Sequence, residues 1–143
     1  MEYELALADK RAQVAEHLAR IGHLEGVEVR EADAALEPFG YRNKMEYSAA
    51  PGAEGGLALG FHVRGRWDQV VDVGACMLAS PLGNAVRETV RGWAVAERLA
   101  PYDQRAQAGT LRHVLVREGV GTGQVLATVV TTPGAEAAAD RLA

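Results

Sequence analysis

The segment FGYRNKMEYSAA, residues 39–50, carries Arg42 and Lys44 two positions apart, directly after a Pro-Phe-Gly turn. At a period of two, Arg42, Lys44, Glu46 and Ser48 share one side of a strand, and Tyr41, Met45 and Tyr47 share the other. Arg64 and Arg66 follow in HVRGRW, and Arg112 and Arg117 in LRHVLVRE. Such side chains make phosphate contacts, Arg as a planar fork and Lys as a point charge. On a sheet edge the same charges keep foreign strands from pairing. Residue type alone leaves both readings open. Arg112 falls on the opposite side of its strand from His113 and Arg117, so these cations do not automatically form one patch.

Other candidates are weaker. GVGTG, 119–123, has the look of a glycine-rich phosphate loop, but such a loop needs a helix after it and the pattern here continues as a strand. It reads as a hairpin turn. Cys76, in VVDVGACML, is a lone cysteine, and one thiolate builds neither a zinc nor an iron–sulfur site. By itself it reads as a small buried apolar residue. His62 and His113 are available as partners for it, yet no spacing links them. His17 and His23 read as solvated helix-end residues. Glu46, Asp68, Asp72 and Asp103 lie near strand ends, and nothing selects two of them as a general acid and base. The residues alone supply no complete catalytic set.

The elements that must position these groups follow from periodicity. Residues 3–22 are predicted as a helix, with Leu7, Val14, Leu18 and Ile21 at helical spacing and Gly22 as the stop. VEVRE, 27–31, is predicted as a short strand. Two alternating runs, 41–50 and 57–64, flank PGAEGG and predict an antiparallel hairpin; VVDV, 70–73, adds a third strand. Ser80-Pro81 opens a helix with Leu82, Val86, Val90 and Trp93 on one face, running to about Leu99. A second hairpin spans VGTG, and GAEAAADRLA begins a last helix. Its stripe of Ala137, Ala138 and Leu142 reads as too small to dock by itself. The class is α+β: a mostly antiparallel sheet built from two hairpins, helices on one face, and an N-terminal helix.

At 143 residues the chain is long enough for one domain with a core. The net charge of −4 is uneven: residues 1–40 hold nine acids against four bases, and the remainder sums to +1. A general nucleic-acid coat is excluded; a local basic surface is not. There is no apolar run long enough for a membrane span and no secretory signal pattern. One cysteine allows no internal disulfide, so a reducing, cytoplasmic setting is the default.

Four segments, FGYRNKMEYS, LGFHVRGRWDQVVDVGACML, LRHVLVREG and TGQVLATVVTT, resemble in type, order and separation those of RNA uracil-5-methyltransferases. The branch resembled is the 23S ribosomal RNA group with a 4Fe-4S cluster, and the resemblance extends over essentially the whole chain. It implies a parent that transfers methyl from S-adenosylmethionine to uracil C5. Such a parent has a TRAM-type barrel, a run supplying three cluster cysteines and a doubly wound methyltransferase domain with the nucleophile. This sequence is then expected to be the central domain: a linking helix at 1–26, the α+β domain at 27–132, and the start of a truncated helix at 133–143. The resemblance makes Cys76 the fourth cluster ligand, its partners absent. It makes Arg42, Lys44, Arg64, Arg66, Arg112 and Arg117 candidates for ribosomal RNA contact, with Asn43 where some members have a further cation. The expected role is non-catalytic, with no cofactor held by this segment alone. A stand-alone RNA-binding module, an inactive gene fragment and a member of the transfer RNA branch are the alternatives.

Overall fold

The structure, a computed structural model, describes residues 2–142. The chain divides into two compact units, one ending at Pro38 and one beginning at Phe39.

In the first unit, helix α1 (Tyr3–Arg20) buries none of its residues. Beyond it, the segment 27–31 forms no strand, contrary to its alternating pattern. A five-residue strand without a partner leaves its backbone groups unpaired. Here side chains of α1 bond one backbone group of this segment and one of the residues after it. Arg11 Nε donates to the Val29 carbonyl at 2.9 Å, and the Ala35 N–H donates to the Tyr3 hydroxyl at 2.8 Å.

The second unit runs β1 (Lys44–Pro51), β2 (Leu57–His62), β3 (Val70–Asp72), α2 (Pro81–Ala96), β4 (Leu111–Gly119), β5 (Gln124–Thr131) and α3 (Glu136–Ala139). The five strands form one sheet in the order β3-β2-β1-β4-β5, with every neighbouring pair antiparallel. The α+β class and the two hairpins are as the patterning requires.

Alternation in β1 sends Met45, Tyr47 and Ala49 into the core. Leu59, Leu111, Val114 and Val116 join them from β2 and β4, and Val90 and Ala94 close the layer from α2. Each fully buried aliphatic side chain contributes about 1.5–3 kcal/mol through removal from water. Tyr41, expected on the core side, is 62% exposed, because the strand begins only at Lys44.

Helix α2 starts where expected, its Ser80 hydroxyl accepting the Gly83 N–H at 2.9 Å. Its buried stripe is Gly83, Arg87, Val90 and Ala94, whereas Leu82, expected inside, is 47% exposed. A cation therefore occupies a core position. The Arg87 guanidinium donates to the Val73 and Gly74 carbonyls and lies 5.8 Å from the centre of the Tyr47 ring.

The last helix docks after all, with Ala138 and Leu142 of the expected stripe packed inward and Ala135 added to them. Ala135 and Ala138 are buried while Ala137 is exposed. Trp93 Nε1 donates to the Ala138 carbonyl at 2.9 Å, and Arg141 grips both oxygens of Glu97 at 2.7 and 2.6 Å. A two-point guanidinium fork and an indole donor supply what the small apolar stripe lacks.

Candidate nucleic-acid interface

Alternation fixes which strand residues face away from the core, and register fixes which of them meet. On β1 the outward residues are Lys44, Glu46 and Ser48. The β1–β4 ladder sets Lys44 opposite Arg117, Glu46 opposite Leu115 and Ser48 opposite His113. On β5, Leu126 lies opposite Arg117 and is 60% exposed. The result is a sheet face with a cross-strand pair of cations at one end.

Arg42 and Lys44 do not meet Arg64 and Arg66 across the hairpin. Register instead brings Lys44 to Arg117. The β1–β2 ladder starts at Ser48 and Gly60, so Arg64 and Arg66 lie beyond the paired stretch, in the turn between β2 and β3. Arg66 is engaged there with Asp68 at 3.3 Å. Arg42 precedes β1, where its N–H donates to the Leu78 carbonyl at 2.9 Å. Arg112 occupies a register break between Leu111 and His113 and lies 4.3 Å from the centre of the Tyr102 ring. Among the described residues, Arg42, Lys44, Arg64, Arg112 and Arg117 make no ion pair.

A cluster that the sequence did not single out sits near the middle of the same face. Ser48 Oγ is 3.2 Å from His62 Nε2 and 3.4 Å from His113 Nδ1. Burial holds His113 below the usual imidazole value, with Arg112 and His62 pushing the same way and Glu46 opposing. The signal available in sequence was the outward phase of Ser48 and His62; His113 arrives only through the β1–β4 register.

One wall of this cluster is the segment from Pro101 to Gly109. Asp103 accepts the backbone N–H groups of Arg105 at 2.7 Å and Ala106 at 3.1 Å. The Arg105 guanidinium grips Asp68 on the β2–β3 side. Gly109 has φ +122° and lies against the Pro101 carbonyl, where any Cβ would fall 2.3 Å from that oxygen. Ser48, His62, Asp68, Asp103, Gln104 and Arg105 enclose a cleft of about 140 Å³.

Cys76 lies elsewhere, in the loop between β3 and α2. Its N–H donates to Asn84 Oδ1 at 2.9 Å, and its carbonyl accepts from Asn84 Nδ2 at 3.0 Å. With Phe39, Met77 and Pro81 it lines a mostly apolar cleft of about 390 Å³. Among the described residues no three His, Cys, Asp or Glu side chains gather to hold a metal. One thiol amounts to one of the four ligands that a cluster takes. The GVGTG run is the turn between β4 and β5, with the Thr122 and Gly123 N–H groups both donating to the Gly119 carbonyl. Among the described residues, no helix is long and apolar enough to cross a membrane.

No protein-family model matches the chain. It is 34% identical over 131 residues to an uncharacterized RNA methyltransferase of Halalkalibacterium halodurans, covering 92% of this chain and 28% of that protein. A second uncharacterized RNA methyltransferase, from Chlorobaculum tepidum, is 32% identical over 149 residues, covering 92% and 30%. The fold is shared with the crystal structure of Pyrococcus abyssi tRNA (uracil-54, C5)-methyltransferase in complex with S-adenosyl-L-homocysteine. The TM-score is 0.68 at 23% identity, over 94% of this chain and 30% of that one. Over nearly its whole length, this chain is similar to a segment of RNA methyltransferases amounting to about 30% of their length.

Proposed function

We propose that this chain is the RNA-contacting, non-catalytic scaffold of an S-adenosylmethionine-dependent RNA uracil-C5 methyltransferase of the 23S ribosomal RNA group. The observation that carries the reading is the pairing of Lys44 with Arg117, in no ion pair among the described residues and exposed on the sheet face away from the core. Like charges placed opposite each other cost stability, and a polyanion offsets that cost by bridging them. Arg42, Arg64, Arg66, Arg112 and the exposed Tyr41 and Trp67 extend the contact with further cations and stacking surfaces. Similarity to RNA methyltransferases supports the partner class.

S-adenosylmethionine belongs to the reaction of the whole enzyme; the glycine-rich turn of this chain has no helix behind it to receive the cofactor. The place of Cys76 beside an iron–sulfur site stays part of the proposal. Asn84 and Arg87 fix the backbone of its loop, which orients the thiol, and this chain supplies one ligand of four. A transfer RNA substrate is the second reading, favoured by the name of the Pyrococcus abyssi protein.

The test is affinity for a 23S ribosomal RNA fragment and for a transfer RNA across a salt series. Binding is expected to weaken as salt rises. Lys44→Ala and Arg117→Ala are each expected to flatten the logarithmic salt slope by about 1. Salt-independent binding, or slopes untouched by both changes, refutes RNA contact by this face. The two RNAs compete for the same surface, and the tighter one decides the branch. Methylation by this chain alone, with S-adenosylmethionine supplied, overturns the scaffold assignment.

A further inference from the structure

The two cations at the end of the sheet face meet phosphate, which carries no sequence information. The face also contains a group of a different kind. Ser48 Oγ stands between two imidazole nitrogens, at 3.2 Å from His62 and 3.4 Å from His113, beside a cleft walled by Asp103, Gln104 and Arg105. A hydroxyl carries one donor and two acceptor sites, and a neutral imidazole carries one of each. Three such groups around one point can present either sign of hydrogen bond to an incoming edge.

The walls are set before any ligand arrives. Arg105 is tied to Asp68, Asp103 caps its own loop through two backbone N–H groups, and Arg112 stacks on Tyr102 at the loop's start. Fixed walls lower the ordering cost of binding. The cleft is too small for a folded helix or a peptide strand, and its polar and planar groups share the lining with Ala49, Ala50, Pro51 and Val70. Unstacked RNA bases are held by this combination: rings or guanidinium planes to stack on, and side chains that bond the base edge.

We propose that the cleft lined by Ser48 and His62 receives one unstacked base of single-stranded RNA, read on its edge by these two side chains, with His113 bonded to Ser48. This inference rests on the RNA-contact reading and goes beyond it: the cations hold the strand, and this cleft discriminates along it. Burial holds His113 below the ordinary imidazole value, and its Nδ1 is taken up by the Ser48 hydroxyl, so its part is to position that hydroxyl.

The experiment follows the ring nitrogens of His62 and His113 by NMR in the whole chain, with two oligoribonucleotides of one length. One bears bases throughout and the other is abasic. Both are expected to bind, and only the base-bearing one is expected to shift the two imidazoles. Ser48→Ala and His62→Gln change partly or fully exposed positions and leave the core intact. Each is expected to weaken the base-bearing oligomer about tenfold. Neither is expected to alter abasic binding or its salt slope. Equal imidazole shifts with both oligomers, or unchanged affinity in both variants, overturn base reading and leave the phosphate contact standing. Failure of both oligomers to bind overturns the RNA-contact reading and this inference together. Uridine and adenosine monophosphates form the third arm. Binding of a free nucleotide as tight as that of the oligomer overturns the assignment to RNA.

Discussion

Lys44 and Arg117 stand directly opposite each other on adjacent antiparallel strands, with no acid paired to either among the described residues. Opposite charges in that place would stabilise the sheet; like charges do the reverse. Lys44→Glu is therefore expected to raise stability by about 0.5 kcal/mol in urea unfolding while lowering RNA affinity. A variant that loses stability and keeps its RNA affinity contradicts the view that these cations face a polyanion.

Arg87 is the one charged side chain among the buried residues described. It is 1% exposed and holds two backbone carbonyls of the loop leading to Cys76. Arg87→Ala leaves both acceptors unpaired and opens a cavity, so a loss of about 3 kcal/mol or more is expected from the urea midpoint. Cys76 should then react faster with a thiol reagent under native conditions. An unchanged midpoint would mean that the guanidinium contributes nothing net.

Ser80 links α2 to β4. Its hydroxyl caps the helix and meets both carboxylate oxygens of Glu118 at 2.7 Å. Ser80→Ala is expected to cost about 1–2 kcal/mol, the upper half of the range for a lost cap, because Glu118 loses its partner too. Ser80→Thr should recover most of it. Equal losses in both variants would assign the effect to packing instead.

For His113, burial disfavours the charged ring, with Arg112 and His62 adding to that and Glu46 opposing it. Its folded value therefore lies below the 6.5 of a free imidazole. As pH falls through 6.5 the unfolded chain takes up a proton that the fold still refuses. The stability owed to this group is complete above that point and is lost as pH falls toward the folded value. Urea midpoints measured from about pH 8 to about pH 5 should decline, and His113→Gln should flatten the decline. A parallel decline in the variant would place the titration elsewhere.

Local pattern carried the architecture a long way. Alternation in 44–51 and 57–62, the Ser-Pro entry to α2 and the glycine-rich turns are nearest-neighbour signals, and each produced its element. Three features lay outside that kind of signal. The isolated run 27–31 alternates like a strand but has no ladder to join. Arg87 sits on the buried stripe of α2 because two carbonyls await it, a fact of the β3–α2 loop and not of helix periodicity. The third is the site itself, since Lys44 meets Arg117 and Ser48 meets His113 only through the β1–β4 register. Sequence showed which way each side chain points, but not which strands would lie side by side.

That central ladder has a further consequence for how the molecule assembles. It joins Ser48 to a residue 65 positions away, whereas β1–β2 and β4–β5 close over short turns. The two hairpins have little loop-closure entropy to overcome, whereas the seam between them must close a longer loop. Until it closes, each hairpin carries a bare backbone edge open to any other nascent copy. At matching ends of those edges stand Lys44 and Arg117, whose mutual repulsion deters pairing between wrong molecules. Like charges at those edges thus work against clumping while the fold is incomplete.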